Sequence, residues 1–171
     1  MKKYKKYIPL ILTAFIAVVD QITKSWVVAN IPLMSIYKVI GNDLVWILHI
    51  RNTGAAFSMG ADSSVFFRVV VFLVLPIALM VFLWWFGFSK KSTCTGFQRW
   101  CVAGILGGGI GTLIDRVFRF NEGVVDFISV KFFGIFGLDR WPTFNVSDSS
   151  VVVFVILLAI SILFTKDSDK K

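Results

Sequence analysis

The stretch GVVDFISVKFFGIFGLDRWPTFNVSDSS, residues Gly123–Ser150, contains two aspartates in apolar surroundings. Asp126 has two apolar residues on either side, and Asp148 stands at the start of the last long apolar run of the chain. Ionised groups cost much free energy at the edge of a hydrocarbon layer, so the few that occur there usually serve a function. The sequence therefore predicts a functional site that contains both carboxyl groups.

Two carboxyl groups that meet in such a place hold one proton between them, because two like charges at close range do not both form cheaply. One carboxylate can then take a proton from water while the other acid donates to a carbonyl oxygen, as in aspartic peptidases. Two alternatives stay open from the residues alone. A transporter would carry its acids near the middle of the spans, within internal repeats. A phosphohydrolase would use the same carboxylates to bind Mg²⁺ and would lose its activity to a chelator.

Composition indicates an integral membrane protein. Of the 171 residues 57% are hydrophobic, the mean hydropathy is +0.80, and the apolar residues are gathered into blocks. The net charge of +8 comes largely from lysines near the chain ends, which is a topology signal. No basic stripe alternates with exposed aromatic residues, so nucleic-acid binding is not expected.

The apolar blocks predict one membrane-embedded domain, residues 1–171, with four transmembrane helices at about 7–29, 65–88, 97–117 and 148–165. The first is read as an uncleaved anchor. Asp20 and Lys24 lie four residues apart at its end, so they share a helix face and can pair. The third contains glycines four residues apart, which let helices approach backbone to backbone. These glycine pairs are Gly104 with Gly108 and Gly107 with Gly111.

Two regions outside the spans are predicted to lie at the membrane surface. Residues 33–58 contain short β-prone runs around the turn Gly41-Asn42-Asp43, which predicts a small extracytoplasmic sheet. Asn52 in this region is either a turn residue that bonds its own backbone or part of the site. Residues 119–146 are predicted to form an interfacial loop, whose aromatic stretch 127–141 is too short to span.

Four spans place both termini on one side, and the basic residues predict that this side is the cytoplasm. Ten lysines or arginines fall on it and six on the other. The ten are Lys2, Lys3, Lys5, Lys6, Lys90, Lys91, Arg99, Lys166, Lys170 and Lys171. The six are Lys38, Arg51, Arg116, Arg119, Lys131 and Arg140.

Metal and thiol chemistry have little support in the sequence. The two cysteines, Cys94 and Cys101, lack the spacing of a metal or redox motif and are expected to be free thiols. The single histidine, His49, excludes a His-rich metal site and leaves Ser147 or Ser149 without a suitable base for a serine mechanism. No metal or other cofactor is expected.

Five motifs that follow one another along the chain carry a family resemblance. They are Asp20-Gln21-Ile22-Thr23-Lys24, Arg51-Asn52-Thr53-Gly54-Ala55-Ala56-Phe57, Gly111-Thr112-Leu113-Ile114-Asp115-Arg116, Val124-Val125-Asp126-Phe127-Ile128 and Phe144-Asn145-Val146-Ser147-Asp148-Ser149. Together they resemble the lipoprotein signal peptidase (signal peptidase II) family. The resemblance implies four helices, a small extracytoplasmic β-sheet cradle and a catalytic dyad at the outer face of the bacterial cytoplasmic (inner) membrane. It also implies an endopeptidase that cleaves diacylglyceryl-modified prolipoproteins just before the lipidated cysteine.

By this resemblance Asp126 and Asp148 are the catalytic dyad. The supporting or substrate-binding residues it implies are Asp20, Lys24, Asn52, Arg116 and Asn145, while Asp115 is expected to be structural. The chain departs from the family pattern at two positions: it has Thr112 where family members usually have Asn, and Ser147 where they usually have Ala. The Ser147 hydroxyl is expected to add a hydrogen bond to Asp148. The expected partners are the prolipoprotein substrate and membrane lipids, with the protein acting as a monomer.

Overall fold

The computed structural model describes residues 5–54 and 64–168, with side chains described as far as Phe164. Four helical segments in this part of the chain are long and apolar enough to cross a membrane, which confirms the predicted architecture. They are Lys5–Asn30, Val65–Phe88, Gly96–Phe118 and Val146–Phe164. Their ends differ from the predicted ends by at most two residues.

The helices are regular except in the second span. They are α1 (Leu10–Asn30), α2 (Val65–Val69), α3 (Leu75–Phe88), α4 (Gly96–Phe118) and α5 (Val146–Ser168). A π-helical turn, Val70–Val74, joins α2 to α3 directly before Pro76. Irregular backbone at this point accommodates a residue that has no N–H to donate.

Helix α4 is the central helix of the bundle. Over an 18-residue apolar stretch of α4, 61% is buried within the protein. The corresponding buried shares in the first, second and fourth spans are 28%, 6% and 11%. A Cβ atom added at Gly104 would meet the ring of Phe154, and one added at Gly107 would lie 2.9 Å from Ile16 Cβ. The glycines thus let α5 and α1 approach the α4 backbone, as their spacing predicts.

Gly108→Ala is expected to lower the thermal stability. The added Cβ would lie 2.5 Å from the Ser147 carbonyl oxygen and 2.8 Å from Val151 Cγ2. A backbone oxygen gives way only if α5 moves, so we expect a loss of about 1–3 kcal/mol and a fall in Tm of several degrees. Gly96→Ala is the matched control, because no atom lies within 4 Å of its added Cβ. Equal melting of both variants and the native chain would contradict the close packing of α4 on α5.

A three-stranded antiparallel sheet lies outside the four spans. Its order is β1 (Ile36–Ile40), β2 (Val45–Asn52) and β3 (Val124–Val130). The turn between β1 and β2 has positive φ at Gly41, Asn42 and Asp43, as its composition predicts. Residues 55–58 of the predicted β region, with the small residues Ala55, Ala56 and Ser58, lie outside the described residues.

Strand β3 falls within residues 119–146, which the sequence predicts to be a loop. All its residues except Ile128 and Val130 are buried, so the strand lacks the polar and apolar alternation that reveals a half-buried strand. Its apolar side chains Val125 and Phe127 pack against Val27 and Ile31 at the end of α1. This packing holds the strand at the end of the bundle where α4 ends and α5 begins.

Ion pairs connect the aromatic stretch 127–141 to the turn between β1 and β2. Asp43 lies 2.8 Å from Lys131 and 3.4 Å from Arg140, whose guanidinium is 3.8 Å from the centre of the Trp46 ring. The hydrogen bond from Lys131 is the main reason that the pKa of Asp43 lies below its usual value. Phe136 at the tip is 89% exposed. Its position in the membrane interface stays a prediction.

Candidate active site

Asn145 joins the two aspartates that the sequence singles out. Strand β3 places Asp126 opposite Ile50 of β2, while the first turn of α5 carries Asp148. Asn145 precedes α5: its side-chain oxygen accepts the Asp148 N–H at 3.0 Å, and Asp148 Oδ2 accepts the Asn145 N–H at 3.0 Å. This reciprocal pair caps the helix. Asn145 Nδ2 also donates to Asp126 Oδ1 at 2.7 Å. One residue therefore contacts both carboxyl groups, that of Asp126 through its side chain and that of Asp148 through its backbone N–H.

Asn52 holds the other oxygen of Asp126. Its Nδ2 donates to Asp126 Oδ2 at 3.2 Å, and its Oδ1 accepts the Gly54 N–H at 3.1 Å. Asn52 therefore bonds its own turn and also contacts Asp126, and its role in the site stays a prediction. The bond from the Gly54 N–H orients the Asn52 side-chain amide, and this amide orients the carboxyl group of Asp126.

The electrostatic surroundings of Asp126 favour its protonated form. The side chain is only 4% exposed, and this burial raises the pKa of Asp126 to about 7, helped by the negative charge of Asp148. The amides of Asn52 and Asn145 oppose the shift without cancelling it. Asp148 is half-buried and lies in the first turn of α5, where the helix dipole favours a negative charge. The two carboxyl groups are thus not equivalent.

A buried charge cluster fixes the start of α5. Lys24 Nζ lies 2.7 Å from both Asp20 Oδ2 and Asp115 Oδ2, and all three side chains are fully buried. Arg119 Nη1 reaches the other oxygen of Asp115 at 2.5 Å. Asp20 Oδ1 accepts the Ser147 N–H at 2.9 Å, one residue before Asp148. Asp20 and Lys24 pair as predicted, and the cluster links α1 and α4 to the amino end of α5.

Arg116 contacts a different part of the molecule from its neighbour Asp115, as expected for adjacent helical residues. Its guanidinium donates to the carbonyl oxygens of Thr53, at 3.1 Å, and of Gly54. It also lies 4.8 Å from the ring centre of Phe72, in the π-helical turn of the second span. Arg116 therefore holds the backbone that directly follows Asn52.

The Ser147 hydroxyl does not form the expected hydrogen bond to Asp148. Ser147 is fully buried, and its Oγ has no hydrogen-bond partner within the part of the chain that the structure describes. The hydroxyl lies next to Gly111 of α4. Successive helical side chains point about 100° apart, so the Ser147 side chain points away from that of Asp148. Thr112 is half-buried, and nothing in the described structure gives its hydroxyl a role in the site.

The sequence indicates some of these contacts and misses others. The spacing of Arg119 four residues after Asp115 is a signal that predicts their pairing. Nothing in the sequence marks Phe72, because it is one apolar residue in an apolar span. The five supporting positions divide into two groups: Asn52 and Asn145 touch Asp126, while Asp20, Lys24 and Arg116 hold the surrounding backbone.

Comparison with known proteins gives one consistent result. A family model described as signal peptidase (SPase) II matches residues 12–164. The lipoprotein signal peptidase of Treponema denticola is 47% identical over 165 residues, which cover 96% of this chain and 94% of that protein. That of Borrelia duttonii is 47% identical over 158 residues, 92% of this chain and 91% of that protein.

Solved structures agree with these relatives. A bacterial membrane enzyme determined by the in meso method at 2.3 Å superposes with a TM-score of 0.78 and 30% identity, over 95% of this chain and 91% of that one. A second bacterial membrane enzyme, determined by the in meso method at 1.9 Å, superposes with a TM-score of 0.74 and 30% identity, over 91% of this chain and 92% of that one. Sequence motifs, helix arrangement and near full-length matches thus lead to the same assignment. The chain is a membrane-spanning protease that belongs to the signal peptidase II family.

Proposed function

We propose that this protein is an aspartic endopeptidase that removes the signal peptide from diacylglyceryl-modified prolipoproteins, by cutting just before the lipidated cysteine. The observation that carries the proposal is the link through Asn145: its side chain donates to the buried carboxyl group on β3, and its backbone N–H donates to the carboxyl group on the first turn of α5. Membership of the family supports a prolipoprotein substrate. The experiments below test the metal-free mechanism.

In the proposed mechanism Asp126 starts protonated and Asp148 starts ionised. Asp148 takes a proton from water as the water oxygen attacks the scissile carbonyl carbon, and Asp126 donates its proton to the carbonyl oxygen. Asp148 then gives its proton to the leaving amine, and Asp126 recovers its proton as the carbonyl re-forms. The pKa of about 7 suits Asp126 to donate at neutral pH. Asn52 and Asn145 keep its carboxyl group in one orientation.

The position of the dyad supports a lipid-anchored substrate. Asp148 lies at the end of a span and Asp126 on a strand outside the spans, so the scissile bond would lie at the membrane surface. In the second span only 6% of an 18-residue apolar stretch is buried within the protein, which leaves much of that helix open to the bilayer. The acyl chains can then enter sideways between helices and remain in lipid while the peptide bond reaches the acids.

The proposed location is the bacterial cytoplasmic (inner) membrane, with both termini in the cytoplasm and the active site at the outer face. The four spans and the excess of basic residues on the side of the termini support this orientation. We propose that the protein acts as a monomer, because one chain supplies every site residue named above.

The proposal is tested by incubating the purified protein, in detergent with EDTA, with a prolipoprotein before and after diacylglyceryl transfer to its cysteine. Mass spectrometry locates the cut. We expect cleavage on the amino side of the cysteine in the modified substrate alone. Loss of activity on adding EDTA would overturn the metal-free mechanism, and equal cutting of the unmodified substrate would overturn the proposed substrate class.

The cleavage rate is expected to fall as the pH rises through about 7. The raised pKa of Asp126 means that the acid is protonated below this value and loses its proton above it, so the proton donor disappears at higher pH. Initial rates with saturating substrate from pH 5 to 9 measure the effect, with detergent and salt held constant. A rate that stays level up to pH 9 would contradict a donor with this pKa.

A further inference from the structure

A basic cavity lies at the opposite end of the bundle from the dyad. It is open to the surroundings, has a volume of about 570 Å³ and lies between the start of α1 and the start of α4, on the side where α5 ends. Three cationic side chains line it together with apolar ones. The cations are Lys5, Lys6 and Arg99, and the apolar residues are Ile8, Pro9 and Trp100.

Neutral backbone carbonyls hold two of the cations in place. Lys6 Nζ donates to the Phe88 carbonyl at 2.8 Å, and Arg99 Nε donates to the Gly87 carbonyl at 3.2 Å. Both carbonyls belong to the last residues of α3, so neutral acceptors orient the two side chains. The Lys5 side chain has no hydrogen-bond or ion-pair partner among the side chains and backbone that the structure describes, residues 5–54 and 64–164. None of the described residues that line the cavity is acidic.

Three positive charges with no acid among the described lining residues favour an anionic ligand. Lys6 and Arg99 each keep further N–H donors that their backbone contacts do not use, and a phosphate oxygen is a suitable acceptor for them. The walls formed by Ile8, Pro9 and Trp100 are apolar, and tryptophan is typical of the level at which lipid headgroups meet hydrocarbon. A small hydrated anion would use only the charges, whereas a phospholipid would use both the charges and the walls.

We propose that this cavity binds the headgroup of an anionic phospholipid from the leaflet on the side of the chain termini. The phosphodiester lies among Lys5, Lys6 and Arg99, and the acyl chains run into the bilayer along Ile8 and Trp100. Basic pockets between transmembrane helices at the cytoplasmic surface are typical sites for such headgroups. The ligand holds the start of α1 against α4 and is independent of the chemistry at the dyad.

Electron paramagnetic resonance with spin-labelled lipids tests this site on the full chain in phosphatidylcholine vesicles. The labelled probes are phosphatidylglycerol and phosphatidylcholine, and the quantity measured is the ratio of their association constants. We expect the native chain to prefer phosphatidylglycerol, and Lys5→Gln/Arg99→Gln to lose at least fivefold of this preference, since each cation near an anionic lipid contributes a factor of about five. Lys90→Gln/Lys91→Gln is the matched control: it removes the same charge from the same face, outside the cavity.

Several outcomes would overturn the proposal. They are no preference for phosphatidylglycerol in the native chain, an equal loss in the control variant, or loss of the preference on adding excess inorganic phosphate, which would assign the site to a free anion. Arg99 also holds the Gly87 carbonyl, so Arg99→Gln can disturb the fold. Lys5→Glu avoids this problem because Lys5 makes no such contact. It is expected to lower the preference by more than fivefold with an unchanged Tm, and an unchanged preference would also refute the site.

Discussion

Asp126→Asn and Asp148→Asn are each expected to lower the rate of prolipoprotein cleavage by at least about a thousandfold. An amide at either position neither takes a proton from water nor transfers one to the carbonyl oxygen, and the positioned acid or base typically contributes a factor of 10² to 10⁴. The two acids act as a unit, so the loss of one removes most of what the pair contributes. Initial rates at pH 6 with the lipidated substrate measure the effect.

The fold should survive both changes, so a loss of rate can be attributed to the missing carboxyl group and not to unfolding. An asparagine at position 148 still offers an oxygen to the Asn145 N–H, and one at position 126 still offers an oxygen to Asn145 Nδ2. We therefore expect a Tm within a few degrees of the native chain. Asp139→Asn is the matched control, because this exposed carboxylate lies outside the site and its loss should leave the rate unchanged. A tenth or more of the native rate in either dyad variant would contradict the mechanism.

Lys24→Met is expected to destabilise the protein by about 3–5 kcal/mol, the usual cost of breaking a buried ion pair by removing one partner. Lys24 is the only residue that bridges Asp20 and Asp115 in the described structure, and all three side chains are fully buried. Without it two buried carboxylates face one remaining cation, Arg119. Thermal unfolding in detergent measures the loss, which we expect to exceed that of Gly108→Ala.

The double variant Asp20→Asn/Lys24→Met is expected to recover most of this stability. It restores charge balance, since Asp115 keeps Arg119, and an asparagine at position 20 still accepts the Ser147 N–H. This rescue distinguishes the cost of an unpaired charge from the loss of packing around the lysine stem, which both variants share. A double variant no more stable than Lys24→Met would contradict a charge-balance role for the cluster.

The sequence predicts the features that depend on local spacing and composition. Uninterrupted apolar runs predict the four spans, and the four-residue spacing predicts the pair of Asp20 and Lys24. The small residues of α4 predict its close contacts with α1 and α5. Each of these signals lies within a single turn or a single block of the chain.

Other features depend on which segments meet in space. The sequence does not reveal strand β3, because both of its faces are covered and the alternation that marks a strand is therefore absent. The bond from Ser147 N–H to Asp20 joins residues 127 positions apart. The sequence also suggests the wrong direction for the Ser147 side chain, because neighbours in sequence do not share a helix face.

The shared proton is tested most directly by infrared spectroscopy of the purified protein from pH 5 to 9, in EDTA and without substrate. The carbonyl stretch of a protonated carboxyl group should be present at pH 6 and disappear with a midpoint near pH 7, and it should be absent at pH 6 in Asp126→Asn. In Asp148→Asn the midpoint should move to lower pH, because the neighbouring negative charge that raises the pKa of Asp126 is gone. A band that is missing at pH 6 in the native chain, or that persists in Asp126→Asn, would contradict a dyad in which Asp126 holds the proton.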